Sequence, residues 1–167
     1  MTTTTEPVIR RTRGFLCDLA GTFSRAVDPA YADAALRGSY GAGRYSRRDQ
    51  RTLYLSASRA GVEAAMIAHR TGTEPARTVL SLRVQAEDIF DLRDPDAVAR
   101  AREQAGEPFA DWQEDLARGR EPSSWRVRDW IEAQGSPGLI DPSRKAPGLW
   151  HLVLFRWNRG DGPQVRL

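Results

Sequence analysis

The sequence predicts a single α+β domain in which peripheral helices surround a central mixed sheet. Its 167 residues match the size of one domain, and a hydrophobic fraction of 40% suffices for one core. Two segments have the pattern of strands. Residues 78–85 alternate apolar and polar side chains, and residues 149–157 form an apolar run typical of a central strand that is buried on both faces. Between them, residues 94–134 carry helix-capping signals.

The first residues are rich in threonine and then in arginine and show no periodicity. They predict a flexible N-terminal arm over residues 1–13, followed by a single domain over residues 14–167. Docking of a partner or of nucleic acid on Arg10, Arg11 and Arg13 is the alternative interpretation of this arm.

Local patterns predict the elements that follow. Residues 37–50 contain three glycines, two tyrosines and four arginines, a composition typical of a loop that carries function. In chain order we then expect a strand at 52–56, a helix from Ser58 through His69, a strand at 78–85, helices at 94–104, 110–118 and 124–134, a polar turn at 141–145 and a strand at 149–157. The helix at 94–104 has clear boundaries, because Asp94-Pro95 is an N-cap followed by proline and Gly106 follows its end.

Charge and composition exclude several classes of protein. The 25 basic and 22 acidic residues nearly balance, which argues against a dedicated nucleic-acid binder. One cysteine, Cys17, and two histidines, His69 and His151, cannot build a disulfide scaffold or a Cys/His zinc site, and we expect no metal. No window approaches the ~18 consecutive apolar residues of a membrane helix, and no export signal follows Arg10-Arg11, so we expect a cytoplasmic protein.

Common cofactor and hydrolase motifs are also missing. The glycines of Gly38-x-x-Gly41-x-Gly43 lack the Gly-Lys-Ser/Thr ending of a P-loop, and no G-x-G-x-x-G opens a helix after a strand. No H-E-x-x-H or G-x-S-x-G occurs in the sequence. Rossmann, P-loop, zinc-protease and α/β-hydrolase chemistries are therefore not indicated.

A spread set of motifs resembles the RES domain family over about residues 23–158. The motifs are Arg25-Ala-Val-Asp-Pro-Ala-Tyr31, Gly41-x-Gly43-Arg44, Leu53-Tyr54-Leu55-Ser56, and Pro142-Ser143 ahead of Leu152-Val153-Leu154-Phe155. The resemblance implies a mainly antiparallel, ADP-ribosyltransferase-like sheet. It also implies a toxin that consumes NAD as a substrate by cleaving the nicotinamide–ribose bond.

The resemblance also implies roles for individual residues. Arg25 and Arg44 would bind the diphosphate of NAD, since guanidinium forks match phosphate oxygens, and Gly43 would let the loop approach it. Tyr54 would pack against nicotinamide or orient the ribose. The remaining predicted site residues would contact the ribose, the phosphate or a polar edge of the ligand: Glu63, which would also stabilise developing positive charge, Ser143 and Asn158. Arg44, Glu63 and Ser143 are the predicted catalytic residues.

The chain departs from the family pattern at two places. Tyr45-Ser46 stands where the family usually has Trp-Asn, and Ala65 stands at the spacing of the family glutamate, two residues after Glu63. Two residues turn a helix by ~200°, so Glu63 reaches the same place only in a different helix register. A non-catalytic module that binds NAD or ADP-ribose is therefore the alternative function, and a nucleic-acid-modifying transferase is a third.

The resemblance implies partners as well. An Xre-type helix-turn-helix antitoxin would cover the NAD site and would contact DNA, so that this chain meets DNA only indirectly. The motifs leave open whether water, phosphate, protein or nucleic acid accepts the ADP-ribosyl group. They also leave open the oligomeric state, a homodimer included.

Overall fold

The computed structural model describes residues 6–67 and 76–167, and these residues form seven strands and four α-helices. The strands are β1 Val8–Arg11, β2 Leu16–Val27, β3 Leu53–Ser56, β4 Thr78–Asp91, β5 Gly138–Pro142, β6 Trp150–Leu154 and β7 Gln164–Arg166. The helices are α1 Arg59–Ile67, α2 Pro95–Gln104, α3 Trp112–Ala117 and α4 Ser123–Ala133, and a 3-10 helix covers Pro29–Arg37. The predicted α+β class is confirmed.

The long strands β2 and β4 form the centre of the sheet. They pair antiparallel along their whole length, with an irregularity between Cys17 and Leu19. Strands β3, β6 and β5 connect β2 back to β4, so the pairings close into the ring β2–β3–β6–β5–β4. The β4–β5 pair is parallel and the other pairs within the described ranges are antiparallel, which confirms a mixed, mainly antiparallel sheet.

Two apolar cores lie on the two faces of the strands. The first receives side chains from all five strands of the ring, including Phe23, Leu55, Leu82, Ile140 and Leu152. The second lies between the other face of β5 and β6 and the helices α2 and α4, and includes Val98, Ile131, Leu139 and Val153. Successive residues of β6 therefore point into different cores, as expected for an apolar run buried on both faces.

The predicted helices are confirmed, with small shifts at their ends. The carboxylate of Asp94 caps α2 by accepting a hydrogen bond from the backbone of Asp96, and Asp111 caps α3 in the same way. Helix α1 is described as far as Ile67, and the rest of the predicted helix, His69 included, lies outside the described residues. No helix within the described ranges is long and apolar enough to cross a membrane.

The prediction of a flexible arm over residues 1–13 is wrong for residues 8–11. These residues form β1, which pairs antiparallel with residues 17–20 of β2. Arg10 forms an ion pair with Asp18, and Arg11 forms one with Asp94. Four residues are too few to show a periodicity, and the hydrogen bonds that hold them come from a neighbouring strand, so local sequence alone did not indicate this strand.

Candidate functional site

The loop over residues 38–50, called the glycine-arginine loop below, is held in place by α4. The indole of Trp125 donates a hydrogen bond of 2.8 Å to the carbonyl of Gly43. The hydroxyl of Ser124 donates to the carbonyl of Arg44. A segment that the glycine content predicted as a loop therefore has a defined shape against a helix, which is what a preorganised site requires.

Tyr54 joins this loop to β3. Its phenol oxygen lies 2.7 Å from Oγ of Ser46 and accepts a hydrogen bond of 3.2 Å from the backbone of Tyr45. A Cβ atom at Gly43 would lie 2.7 Å from the same phenol oxygen, so glycine is required by this close approach. The predicted site residues Gly43 and Tyr54 are thus in direct contact.

Arg44 is anchored through one end of its guanidinium. Nη1 donates a hydrogen bond of 2.9 Å to the carbonyl of Ala110, just ahead of α3. Burial, and then the like charge of Arg144, lower the pKa of Arg44 from its high ordinary value. No carboxylate forms an ion pair with Arg44 in the part of the chain that the structure describes. A fixed cation with N–H groups left over is suited to binding phosphate oxygens.

Asp141 lies beside these residues and was not predicted as a site residue. Its side chain is 7% exposed, and Oδ1 accepts a hydrogen bond of 2.9 Å from the phenol of Tyr45. Burial raises the pKa of Asp141, while the Tyr45 hydrogen bond and the charges of Arg144 and Arg44 act in the lowering direction. The signal in the sequence is the position of this acid directly after the apolar pair Leu139-Ile140. The polar residues 141–145 predict a turn that begins at Asp141, whereas in the structure β5 continues through Pro142.

Ser143 follows Asp141 by two residues and continues the pairing of β5 with β6. Its backbone donates a hydrogen bond of 2.8 Å to the carbonyl of Leu149, and its Oγ accepts one of 3.2 Å from the backbone of Ala146. Residues two apart in an extended chain share a face, so Ser143 lies on the face of Asp141. Its O–H group remains able to donate to a ligand.

His151 lies directly opposite Asp141 in the β5–β6 pair. Its Nδ1 is 2.9 Å from Oγ of Ser56 on β3. Burial, followed by the charge of Arg144, lowers the pKa of His151, which favours the neutral imidazole. A neutral histidine paired with a serine extends the polar surface beyond Asp141.

Arg25 is anchored elsewhere in the fold. Arg25 lies two residues from Phe23 and from Val27 along β2 and shares their face, which at Phe23 is the face of the first core. Tyr54 alternates along β3 with Leu53 and Leu55 of the first core and therefore points to the opposite face. Its guanidinium donates to the carbonyl of Ala35 at 2.5 Å and to Oγ of Ser39 at 3.4 Å. Among the described residues no hydrogen bond joins Arg25 to Arg44, and the structure does not bring these two predicted ligands of the diphosphate into contact.

Glu63 and Asn158 have other partners than Arg44, Tyr54 and Asp141 among the described residues. The side chain of Glu63 is 63% exposed and lies 3.9 Å from Arg59, one turn earlier in α1. The amide of Asn158 donates to the carbonyl of Val165 and accepts from its backbone N–H, at 2.9 and 2.7 Å. Asn158 therefore closes the turn before β7, a structural use of both ends of its amide.

A buried arginine supports the glycine-arginine loop from beneath and was not predicted. Arg128 of α4 is 2% exposed, and its Nη1 donates to the carbonyl of Tyr45 at 3.0 Å and to Oγ1 of Thr52 at 2.8 Å. Nε donates to Glu132 at 3.1 Å. Arg128 thus acts on the site through Tyr45, whose phenol reaches Asp141.

A cavity of about 430 Å³ lies over β2, β4 and β7 and is lined by residues such as Thr22, Arg83 and Gln164, with none of the predicted site residues among them. Within residues 6–67 and 76–167 no group of three or more His, Cys, Asp and Glu side chains is placed to hold a metal ion.

The α+β domain thus carries a candidate polar site on the face of β3, β5 and β6 that holds the second core, next to the glycine-arginine loop; its residues are Arg44, Tyr54, Asp141 and Ser143. A family model, the RES domain, matches residues 22–167. Because this match covers most of the chain, the protein belongs to the RES domain family. No curated protein sequence matches the chain.

A solved structure has a similar fold. The match is to a chain of the "M.tuberculosis MbcT-MbcA toxin-antitoxin complex", with 19% sequence identity and a TM-score of 0.54. The similarity covers 91% of this chain and 84% of the other. At this level of identity the comparison supports the fold of the ring of strands and its helices.

Proposed function

We propose that this protein is the toxin of a toxin–antitoxin pair and that it cleaves the nicotinamide–ribose bond of NAD. Three lines of support converge: membership of the RES family, a fold shared with a chain of a toxin–antitoxin complex, and the cluster of Arg44, Tyr54 and Ser143. In this proposal NAD is the substrate and a protein antitoxin is the partner.

The observation that carries the proposal is the guanidinium of Arg44, which is fixed through Nη1 and keeps other N–H groups for a ligand. One nitrogen is bonded to the carbonyl of Ala110, burial limits the solvation of the group, and the like charge of Arg144 disfavours the cation further. Such a cation gains most from a ligand that brings its own negative charge, and the diphosphate of NAD does so. Tyr54 would contact nicotinamide or ribose, and Ser143 would donate to ribose or phosphate.

Nicotinamide release by the purified protein tests this proposal. The assay is run with and without inorganic phosphate, and the mass of the ribosyl product separates ADP-ribose from its phosphate adduct. We expect release in wild type, and in Arg44→Ala a KM raised by about tenfold to a hundredfold, the usual value of a hydrogen bond to a charged group. Arg48→Ala is the matched control, since Arg48 is an exposed arginine in the same loop. Intact NAD under both conditions, with no binding of NAD, would reject the proposal.

The proposed partner is an Xre-type helix-turn-helix antitoxin that covers this site. The similar solved structure is a complex with an antitoxin, which supports a protein partner for this fold. Expression of the toxin alone should arrest growth, and co-expression of the antitoxin should relieve the arrest. DNA binding should appear only in the complex; retention of DNA by this chain alone would contradict the proposed division of labour.

One observation favours the alternative of a non-catalytic module that binds NAD or ADP-ribose. Glu63, the predicted catalytic carboxylate, is 63% exposed, and its ion-pair partner is Arg59 of the same helix at 3.9 Å. Calorimetric titration with ADP-ribose distinguishes the two functions. Binding of ADP-ribose without release of nicotinamide from NAD would support the module, and turnover of NAD would exclude it.

A further inference from the structure

Asp141 is the only buried carboxylate among the described residues. Burying a carboxylate is costly unless a cation pairs with it. Asp141 has no salt-bridge partner within the described ranges, and its one hydrogen-bond donor there is the neutral phenol of Tyr45. An unpaired buried carboxyl that the fold retains at a cost in stability is a marker of function.

The surroundings of Asp141 are those residues that we expect to bind the substrate. Tyr45, which holds Oδ1, is the neighbour of Arg44 and is bonded through its backbone to Tyr54. Ser143 lies two residues ahead on the same strand face, and His151 lies directly across the β5–β6 pair. The second oxygen, Oδ2, has no hydrogen-bond partner among the described residues.

Glu63 lacks each of these properties. Its carboxylate is 63% exposed, and its neighbour is an exposed arginine of the same helix. A solvated carboxylate interacts with a developing charge through a high dielectric, which makes the interaction several times weaker than at a buried position. Asp141 and Glu63, the two candidates for the carboxylate that contacts the substrate, therefore differ in burial and in their neighbours.

We propose that Asp141 is the catalytic carboxylate of this protein, acting on the ribose of NAD; this rests on the proposed function. As the glycosidic bond breaks, its electron pair moves to the nicotinamide nitrogen and leaves a positive ribose. The Asp141 carboxylate stabilises that charge and accepts a proton from the attacking water through Oδ2. The products are nicotinamide and ADP-ribose, and the proton passes from Asp141 to solvent.

Tyr45 is a positioning residue in this scheme. Its phenol fixes the rotamer of Asp141 and favours the ionised carboxylate by donating to Oδ1 at 2.9 Å. Removal of this donor raises the pKa of Asp141 further. Tyr45→Phe should therefore move the acidic limb of the kcat profile to higher pH, a change that a merely structural tyrosine would not cause.

The test compares Asp141→Asn with Glu63→Gln in the nicotinamide-release assay. We expect Asp141→Asn to lower kcat by about a hundredfold, as for loss of one preorganised electrostatic group, with KM changed by less than about threefold. The loss should exceed that in Glu63→Gln by about tenfold or more. Glu103→Gln, an exposed acid of α2, is the control, and thermal melting verifies that each variant is folded.

The outcomes separate the two proposals. An active wild type with an equally active Asp141→Asn, or an unshifted pH profile in Tyr45→Phe, would overturn the role of Asp141 and leave NAD cleavage standing. An active wild type that loses kcat only in Glu63→Gln would assign the role to Glu63. Wild type that neither binds NAD nor releases nicotinamide would reject the proposed function, and the role of Asp141 with it.

Discussion

The phenol of Tyr45 donates a 2.9 Å hydrogen bond to Oδ1 of Asp141 and so joins the glycine-arginine loop to the end of β5. Both side chains are buried, Tyr45 completely. Burial, followed by the nearby charge of Asp141, raises the pKa of Tyr45, which favours the protonated phenol that donates this bond. The bond couples the shape of the loop to the orientation of the carboxyl.

Stability should depend on pH through Asp141. Burial raises its pKa in the folded chain above the ordinary value of 3.8, so the folded chain binds this proton more tightly than the unfolded chain. Stability from this group is therefore present below pH 3.8 and is lost as pH rises through the raised value. Asp141→Asn removes this dependence, and its melting temperature relative to wild type should be higher at pH 7 than at pH 4.

Differential scanning fluorimetry at the two pH values measures this difference. Glu103→Gln is the control. Because Glu103 is exposed, the melting temperature of this variant should differ from that of wild type by nearly the same amount at both pH values. If the difference in melting temperature between Asp141→Asn and wild type is also the same at both pH values, the pKa of Asp141 is not raised in the folded chain. A stabilised variant with lost activity would be the expected trade-off between stability and function at a site.

Gly43→Ala should lower the free energy of unfolding, whereas Gly41→Ala should leave it nearly unchanged. A Cβ at Gly43 would lie 2.7 Å from Oη of Tyr54 and 3.0 Å from Oγ of Ser46, whereas a Cβ at Gly41 meets no atom within 4 Å. Overpacking of this kind costs about 1–3 kcal/mol. Chemical denaturation measures the free energy of unfolding of both variants, and equal values would show that the loop adapts around the added methyl group.

The elements that could be predicted are those whose own residues carry a pattern, such as a helix cap, an alternation of apolar and polar side chains, or an apolar run. The cap Asp94-Pro95, the alternation over residues 78–85 and the apolar run in β6 each follow from the residues themselves. Strand β1 and the second half of β4 depend on hydrogen bonds with β2, which no local pattern shows. The sequence therefore predicted elements with internal periodicity and missed a strand that only its neighbour stabilises.

The sequence motifs predicted those residues of the candidate site that lie in the glycine-arginine loop and in β3. Gly43 and Tyr54 are in contact, and Arg44 lies beside them in the loop. The carboxyl group was not predictable in the same way, because the two candidate acids differ in burial rather than in spacing. Asp141 follows an apolar pair in a strand, and only the three-dimensional structure shows that Tyr45 lies over it.

Cys17 should be unreactive in the folded protein. It is 1% exposed, and burial, assisted by Asp91, raises its pKa to about 12. The thiolate is the reactive form, so alkylation at pH 8 should be slow until the chain unfolds. Labelling with iodoacetamide followed by mass spectrometry, with and without denaturant, measures this. Equal rates in both conditions would show that β2 opens locally in the native state.

Arg128→Ala should be more destabilising than loss of a typical surface arginine. Arg128 is 2% exposed and donates to Tyr45, Thr52 and Glu132, so its removal leaves buried acceptors without partners. Leaving a buried acceptor without its donor costs about 1–3 kcal/mol. Arg100→Ala, the loss of an exposed ion pair with Glu103, should cost less than about 1 kcal/mol.

Urea denaturation of the two arginine variants gives both free energies of unfolding. Because Nη1 of Arg128 bonds to the carbonyl of Tyr45, the loop above it should also lose its fixed shape. Nicotinamide release should then fall in Arg128→Ala even at temperatures where the variant is fully folded, and stay at the wild-type rate in Arg100→Ala. A folded Arg128→Ala with unchanged kcat and KM would show that the glycine-arginine loop keeps its geometry through Trp125 and Ser124 alone.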